Sequence, residues 1–372
     1  MPMPRINPEV ETFARIKVIG VGGAGQNAID HMIRSKVPGV DFVSVNTDAQ
    51  DLHNSLAPRK IHIGKNITRG LGAGMDPMLG RQAAEENKNE IVELVRGVDM
   101  VFITAGFGGG TGTGAGPVIA DVARSENALT IGVVTKPFSF EGSERGRIAD
   151  EGLARLREAV DAMIVIPNDR LLGIIEKKTS FLSAFSMCDE ILRQAVQGIS
   201  DLITLPGIIN VDFADMRAIM KNAGSALMGI GKASGDDRAK EAAKMAINSP
   251  LLDLSIDGAR GVLFSIAGGD DLTMWEVNEA AKVITESIAK DAKVIFGAVK
   301  DERLRKGEIK ITVVASGFGD GHVPAAVKSA NLFSNLPRME ENPLLRPKKP
   351  MEPEEQNDEW DAIPAFLRRA KK

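Results

Sequence analysis

Hydrophobic positions in the first half of the chain fall into short unbroken runs. RIKVIGV (15–21), VDFVSVN (40–46), DMVFITA (99–105), LTIGVVT (129–135) and DAMIVIP (161–167) are apolar at most positions. Such runs predict strands buried on both faces of a parallel sheet. Between them, apolar residues recur at three- and four-residue steps near 25–35, 77–96, 116–126 and 143–159, the helical period. Strands alternating with helices predict a doubly wound α/β domain, with its ligand at the carboxyl ends of the strands. From Ser180 to Leu205 the helical period continues through Phe181, Leu182, Phe185, Met187, Ile191, Leu192, Val196 and Ile199, with no Gly or Pro before Gly198. That predicts one long helix of about 30 Å or more.

Further along, strand-like runs at 225–231, 262–268, 292–299 and 308–316, with helical patterns near 238–247 and 272–290, predict a second, smaller α/β domain. After Gly319 no apolar period survives. Residues 320–358 carry six prolines, and Arg338 to Glu359 holds seven acidic and four basic residues, a composition that predicts a flexible linker. The expected order is a flexible extension over 1–13, a first domain over 14–179, a central helix over 180–205, a second domain over 206–319, the linker over 320–358 and a terminal segment over 359–372.

Composition narrows the chemistry. The chain has 372 residues, 43% hydrophobic and 26% charged, with a net charge of −4, so no basic surface marks it as a nucleic-acid binder. Cys188 is its single cysteine and its four histidines (31, 53, 62 and 322) form no i, i+4 pair; neither a disulfide framework nor a Cys-built zinc site follows. No apolar stretch approaches 18 residues and the N-terminus lacks a signal layout, so a cytoplasmic protein is expected.

Glycine is the surplus, 38 of 372 residues, and it gathers after two strands. Gly20-Val21-Gly22-Gly23-Ala24-Gly25 follows the first strand and opens a helix, the context in which backbone N–H groups meet phosphates. This loop alone would also suit a dinucleotide-binding oxidoreductase, with Asn46 or Asp48 near the ribose. The second loop discriminates. Gly106 to Gly116 holds seven glycines and two threonines in eleven residues, many unhindered donors and two hydroxyls, as a triphosphate with its Mg²⁺ requires. A dehydrogenase has no evident use for it, and no Gly-x-x-x-x-Gly-Lys-[Ser/Thr] occurs.

GGGTGTGAG (108–116) resembles the signature of the tubulin/FtsZ family, and the whole chain is similar to its FtsZ branch, the prokaryotic cell-division GTPases. GVGGAGQNAI (20–29), NTDAQ (46–50), RGLGAG (69–74), TKPFSFEG (135–142), NDRL (168–171), NVDFAD (210–215) and GSALMGIG (224–231) carry the resemblance in order. Phe107, Lys136 and Met75-Asp76-Pro77 depart from the common pattern, Asp76 remaining a competent helix cap before Pro77. The resemblance implies a GTP-binding domain, a C-terminal activation domain and GTP/GDP with Mg²⁺ carried on the phosphates. It implies that Gly22, Gly23 and Gln26, with Gly110, Thr111 and Gly112, hold the phosphates, Ala24, Gly25, Gly109 and Thr113 completing the two loops. Ala73 and Gly74 would sense the γ-phosphate, Glu141 and Arg145 would contact the sugar, and Asn168 and Asp189 would read the base. A carboxylate at Asp189 suits guanine, whose ring N–H and amino group are adjacent donors. Phe185, one turn earlier, is either a stacking partner for the base or ordinary helix core.

Asn210, Asp212 and Asp215 form an acidic loop entering a helix, where they either position an attacking water or merely cap the helix. Some 20 residues separate this loop from Asp189, about 30 Å if helical, farther than a nucleotide spans. A catalytic role would therefore serve a neighbouring subunit, and head-to-tail contacts that do not close make filaments. The resemblance implies the same: GTP hydrolysed between subunits of a polymer that builds the division ring at midcell. The last motif is the apolar stripe of Trp360, Ile363, Phe366 and Leu367 with Asp361 and Pro364 at its start. It is too short to fold alone and suited to a partner's groove. In the family a similar peptide docks on membrane-tethering and regulatory division proteins.

Overall fold

The computed structural model describes residues 14–173, 179–205, 207–249, 256, 258–301 and 303–318. The expected extension, linker and terminal segment, with Asp361, Ile363, Pro364, Phe366 and Leu367, lie outside the described residues. The first half runs β1 (Ile16–Val21), α1 (Gly22–Arg34), β2 (Asp41–Asn46), α2 (Ala49–Asn54), β3 (Arg59–His62), α3 (Lys65–Thr68), α4 (Pro77–Glu86), α5 (Lys88–Val95), β4 (Met100–Gly106), α6 (Gly110–Ser125), β5 (Leu129–Lys136), α7 (Ser143–Ala159), β6 (Ala162–Pro167) and α8 (Asn168–Leu172). The long helix is α9 (Phe181–Thr204). Then come β7 (Gly207–Ile209), α10 (Phe213–Met220), β8 (Gly224–Ser234), α11 (Arg238–Ile247), β9 (Gly261–Gly268), α12 (Met274–Thr285), β10 (Lys293–Lys300) and β11 (Glu308–Ser316).

Strands β1 to β6 are parallel and lie in the order β3-β2-β1-β4-β5-β6. The order reverses between β1 and β4, the position where doubly wound sheets open a ligand crevice. The unbroken apolar runs are explained by burial on both faces. Met100 and Phe102 of β4 pack with α1 and α9 residues such as Met32 and Leu192, while Val101 and Ile103 pack with Ile91 and Ile119 on the opposite face. The sheet continues from β6 to β8 through three parallel pairs, Ala162↔Gly224 to Ile164↔Ala226. Beyond that joint it is mixed, in the order β8-β11-β9-β10-β7. Helix α9 packs along both halves. Its Leu192, Val196 and Ile199 are buried, and a Cβ on its Gly198 would lie 3.0 Å from Thr312 of β11.

The expected elements differ from the observed ones mainly at glycines and in short pieces. Helices expected near 25–35 and 116–126 begin earlier, at Gly22 and Gly110, because glycine runs carry no apolar period. The 77–96 pattern is two helices. Asn87 interrupts it, its side chain accepting from the Gly64 N–H at 3.0 Å and donating to Glu90. As expected, Asp76 caps α4, accepting from the Met78 and Leu79 N–H groups.

Helices α4 and α6 meet backbone to backbone. A Cβ on Gly114 would lie 2.0 Å from the Pro77 carbonyl oxygen, and one on Gly80 would lie 2.3 Å from that of Gly110. Overpacking a rigid contact costs about 1–3 kcal/mol, so Gly114→Ala is expected to lose about that much in urea unfolding. Gly146→Ala on α7, where a Cβ meets nothing within 4 Å, is expected to gain about 0.5–1 kcal/mol by restricting the unfolded chain. Equal stabilities for the two variants would contradict the close approach.

Candidate functional site

Both glycine loops open at the carboxyl edge of the parallel strands, one after β1 and one after β4, and they touch. Gly22 has φ +73°, and a Cβ there would lie 3.1 Å from the Gly112 nitrogen. Neither α1 nor α6 has a side-chain cap or an acidic residue in its first turn, so two positive helix ends face one cleft. Val21, Gly22, Gly23 and Ala24 line one wall, and Gly74 with Gly109, Gly110, Thr111 and Gly112 lines the next. Among the described residues, the carboxylates lining the cleft are Glu141 and Asp189; the glycine walls present none of these to repel an anion.

At the other end, Glu141 accepts from the Phe138 N–H at 2.9 Å and pairs with Arg145 at 2.6 Å, and both line the cleft. Asn168 opens α8, is 5% exposed, and its Oδ1 has no hydrogen-bond partner among the described residues. A buried acceptor left open costs about 1–3 kcal/mol unless a ligand donor meets it. Asp189, on α9, lines the same cleft. Burial pushes its carboxyl up to about 6, although the charges of His31 and Arg34 pull the other way. Next to it, Glu190 is raised by burial, but bonds from Arg193, His31 and Gln194 outweigh that and bring it down to about 2. Burial, with the charge of Asp189, pushes the Cys188 thiol up to about 12, so this cleft-lining cysteine stays protonated and inert. Phe185 both lines the cleft and joins an aromatic cluster, edge-on to Phe138 at 5.4 Å and tilted on Phe181 at 4.8 Å. Its packing in the aromatic cluster accounts for the core reading, and its place on the cleft wall leaves the stacking reading a proposal.

Four residues expected around the nucleotide stand behind the cleft wall. Gly25 is a packing glycine, since a Cβ there would lie 2.4 Å from the Thr104 carbonyl oxygen. Gln26 is 2% exposed and donates to the Asp51 carbonyl at 2.8 Å. Ala73 is buried, its carbonyl accepting from the Asp76 N–H. Thr113 accepts from the Gly108 N–H at 2.9 Å. The Gly110 N–H is also engaged, donating to the Gly74 carbonyl at 2.7 Å, which ties the 69–74 loop to the start of α6. Sequence reasoning gave no role to Asn27, Thr135, Pro137 or Leu192, which also line the cleft. Thr135 and Pro137 follow from the strand-end rule, and Asn27 lies one helical turn after Gly23.

The acidic loop is elsewhere. Asn210, Asp212 and Asp215 are exposed. Asn210 Oδ1 accepts from the Gly207 N–H at 2.7 Å, and Asp212 caps α10 by accepting from the Asp215 N–H at 2.7 Å. Helix α10 is bolted to the amino edge of the parallel sheet. Arg217 donates to the carbonyl of Asn127, just before β5, and the Asn222 N–H bonds Asp161, just before β6. The cleft lies at the opposite, carboxyl edge. Strands of this length separate the two edges by about 20–25 Å. The fifteen residues from Asp189 to the end of α9 likewise span about 22 Å.

No helix among the described residues is long and apolar enough to cross a membrane. Residues 15–176 match the Tubulin/FtsZ family GTPase domain, and residues 224–319 match the FtsZ family C-terminal domain. Among solved structures, an empty FtsZ dimer from M. jannaschii is 46% identical, covering 82% of this chain and 88% of that one, with a TM-score of 0.78. A point mutant of the same FtsZ is 46% identical over 82% and 92%, with a TM-score of 0.79. CetZ2 from Haloferax volcanii, a GTPγS-bound protofilament, shares the fold at 21% identity and a TM-score of 0.69, over 81% and 92%.

Proposed function

The chain belongs to the tubulin/FtsZ family, in its FtsZ branch, and from that premise we propose a GTPase that hydrolyses GTP between subunits of its own filament and builds the division ring. The observation that carries this reading is the placement of cleft and acidic loop at opposite edges of one sheet. Phosphates fit the two uncapped helix ends, and Mg²⁺ carried in on them would offset their charge. Guanine fits the far end. The Asp189 carboxylate accepts from guanine's adjacent ring N–H and amino group, and the Asn168 oxygen is a further acceptor, whereas adenine lacks that donor pair. The acidic loop of one subunit then meets the γ-phosphate held by the next. Asp212 and Asp215 orient a water and take up its proton while the bond from the β–γ bridging oxygen to the γ-phosphorus breaks, leaving GDP and inorganic phosphate.

This contact is heterologous and repeats head to tail, so it propagates as a filament. A dimer of the 46%-identical M. jannaschii FtsZ and a GTPγS-bound protofilament of CetZ2 are consistent with it. The terminal peptide around Phe366 would hold membrane-tethering and regulatory division proteins at midcell in the cytoplasm. Light scattering and phosphate release, measured together across protein concentrations with GTP and Mg²⁺, test the reading. Turnover per subunit is expected to be near zero below the assembly threshold and to rise with polymer. Equal turnover per subunit on both sides of the threshold would reject the shared site. Binding of NAD(H) without GTP would instead favour the oxidoreductase that the first glycine loop alone allows.

A further inference from the structure

Thr47 lies outside the cleft, directly behind its second glycine loop. It is fully buried, and its Oγ1 is 2.6 Å from Oγ1 of Thr111. Thr111 lines the cleft and is only half-buried. The Thr47 backbone is clamped, its carbonyl accepting from His62 Nε2 and from the Thr68 hydroxyl, each at 3.2 Å. The residue before it is held too, the Asn46 carbonyl accepting from the Ile63 N–H at 3.1 Å. The Thr47 hydroxyl is therefore aimed at Thr111 before any ligand arrives.

We propose that Thr47 is a positioning residue for phosphate binding, directing the Thr111 hydroxyl proton into the cleft. This rests on the reading of the cleft as a phosphate site. Two hydroxyls at 2.6 Å share one hydrogen bond, and either can donate. A phosphate oxygen only accepts, so its arrival sets the order. Thr111 donates to the phosphate, and Thr47 donates to the Thr111 oxygen it faces. A donor behind Thr111 polarises its O–H and strengthens the forward bond. It also holds Thr111 in the rotamer that reaches the ligand. The same residue ties the phosphate loop to His62 and Thr68, which flank the approach to the 69–74 loop. The second glycine loop and the approach to the 69–74 loop are thus tied to one buried threonine.

The test is GTP titration calorimetry with Mg²⁺ at concentrations below assembly, on Thr47→Val, Thr47→Ser, Thr111→Val and the Thr47/Thr111 double valine. Valine keeps the shape of threonine and removes the hydroxyl; serine keeps the hydroxyl and removes a methyl. Thr111→Val is expected to weaken GTP by about tenfold or more, as for a bond to a charged group, and Thr47→Val by about three- to tenfold. Thr47→Ser is expected to stay within about twofold of wild type. The double variant is expected to match Thr111→Val alone, since the two hydroxyls act as one unit. Should Thr47→Val fail to fold, Thr47→Ala takes its place in the comparison. Wild-type affinity in Thr47→Val, equal weakening by valine and serine, or additive effects would each overturn the proposal. Wild-type affinity in Thr111→Val is a separate failure, because it removes phosphate binding from this loop altogether.

Discussion

Asp212→Ala is expected to bind GTP as wild type does and to lose turnover by about 100-fold or more, the usual effect of removing a group that positions and deprotonates a water. Asp212 is exposed and its carboxylate otherwise only caps α10. The substitution therefore costs the fold about 1 kcal/mol, a lost helix cap, and leaves the cleft untouched. Gly22→Val is the complementary lesion. It forces a β-branched residue to φ +73° with its Cβ 3.1 Å from the Gly112 nitrogen, which closes the cleft but spares the acidic loop. Each variant alone is expected to be inactive. Mixed in equal amounts, about a quarter of head-to-tail interfaces would join an intact cleft to an intact loop, and turnover should reappear. A phosphate-release assay on the pure variants and on their mixture decides the matter. If the mixture stays as inactive as its parts, or Asp212→Ala turns over normally, catalysis does not cross the subunit interface.

Guanine affinity is expected to fall with pH, with a midpoint set by Asp189. Its carboxyl is pushed up to about 6 by burial. Around it stand His31, Arg34, Glu190 and Arg193, with Glu141 and the protonated Cys188 along the cleft. Only the charged form of Asp189 accepts both guanine donors, so binding below pH 6 must first release a proton. GTP dissociation constants should be flat above about pH 7 and rise by about tenfold per pH unit below 6. ATP, without the donor pair, should lack that step. The sign for folding is opposite. A carboxyl raised in the folded state binds its proton more tightly there, so this group's cost to the fold is full above about pH 6 and is relieved as pH falls from 6 towards 3.8. Asp189→Asn should remove the pH step and, by placing a donor amide against guanine's amino group, lower GTP-over-ATP selectivity by roughly 10- to 100-fold. A GTP affinity independent of pH between 5 and 8, together with unchanged selectivity in Asp189→Asn, would take Asp189 out of the base site.

The chain's local pattern is sufficient for its layers. Double-sided burial removes alternation from β1, β2, β4, β5 and β6, so five of the six parallel strands are legible as apolar runs. The three- and four-residue period of α9 and α7 reflects one face turned to the core. These signals are local because each side chain's burial repeats along its own element. The glycine loops are legible for a related reason: seven glycines in eleven residues break any apolar period and mark a backbone that must approach something closely. Short elements are not legible. β3, α2, α3 and β7 have three to six residues, less than two periods of a helix, and they exist because a neighbour supplies their hydrogen bonds.

Only the tertiary structure sorted the glycines and aimed the polar groups. Gly22 and Gly25 belong to one motif. Yet the cleft is lined by the first, while the second presses on the Thr104 carbonyl and Gly114 presses on that of Pro77. Close approach is a property of two backbones, and one sequence segment carries no record of the other. The same holds for Thr47, 64 residues from the hydroxyl it faces, and for the open Asn168 oxygen, whose lack of a partner depends on everything packed around it. The length of α9 in the sequence sets how far the acidic loop lies from Asp189. The sheet edge to which α10 is bolted, through Arg217 and Asn222, turns that distance into opposite ends of one subunit.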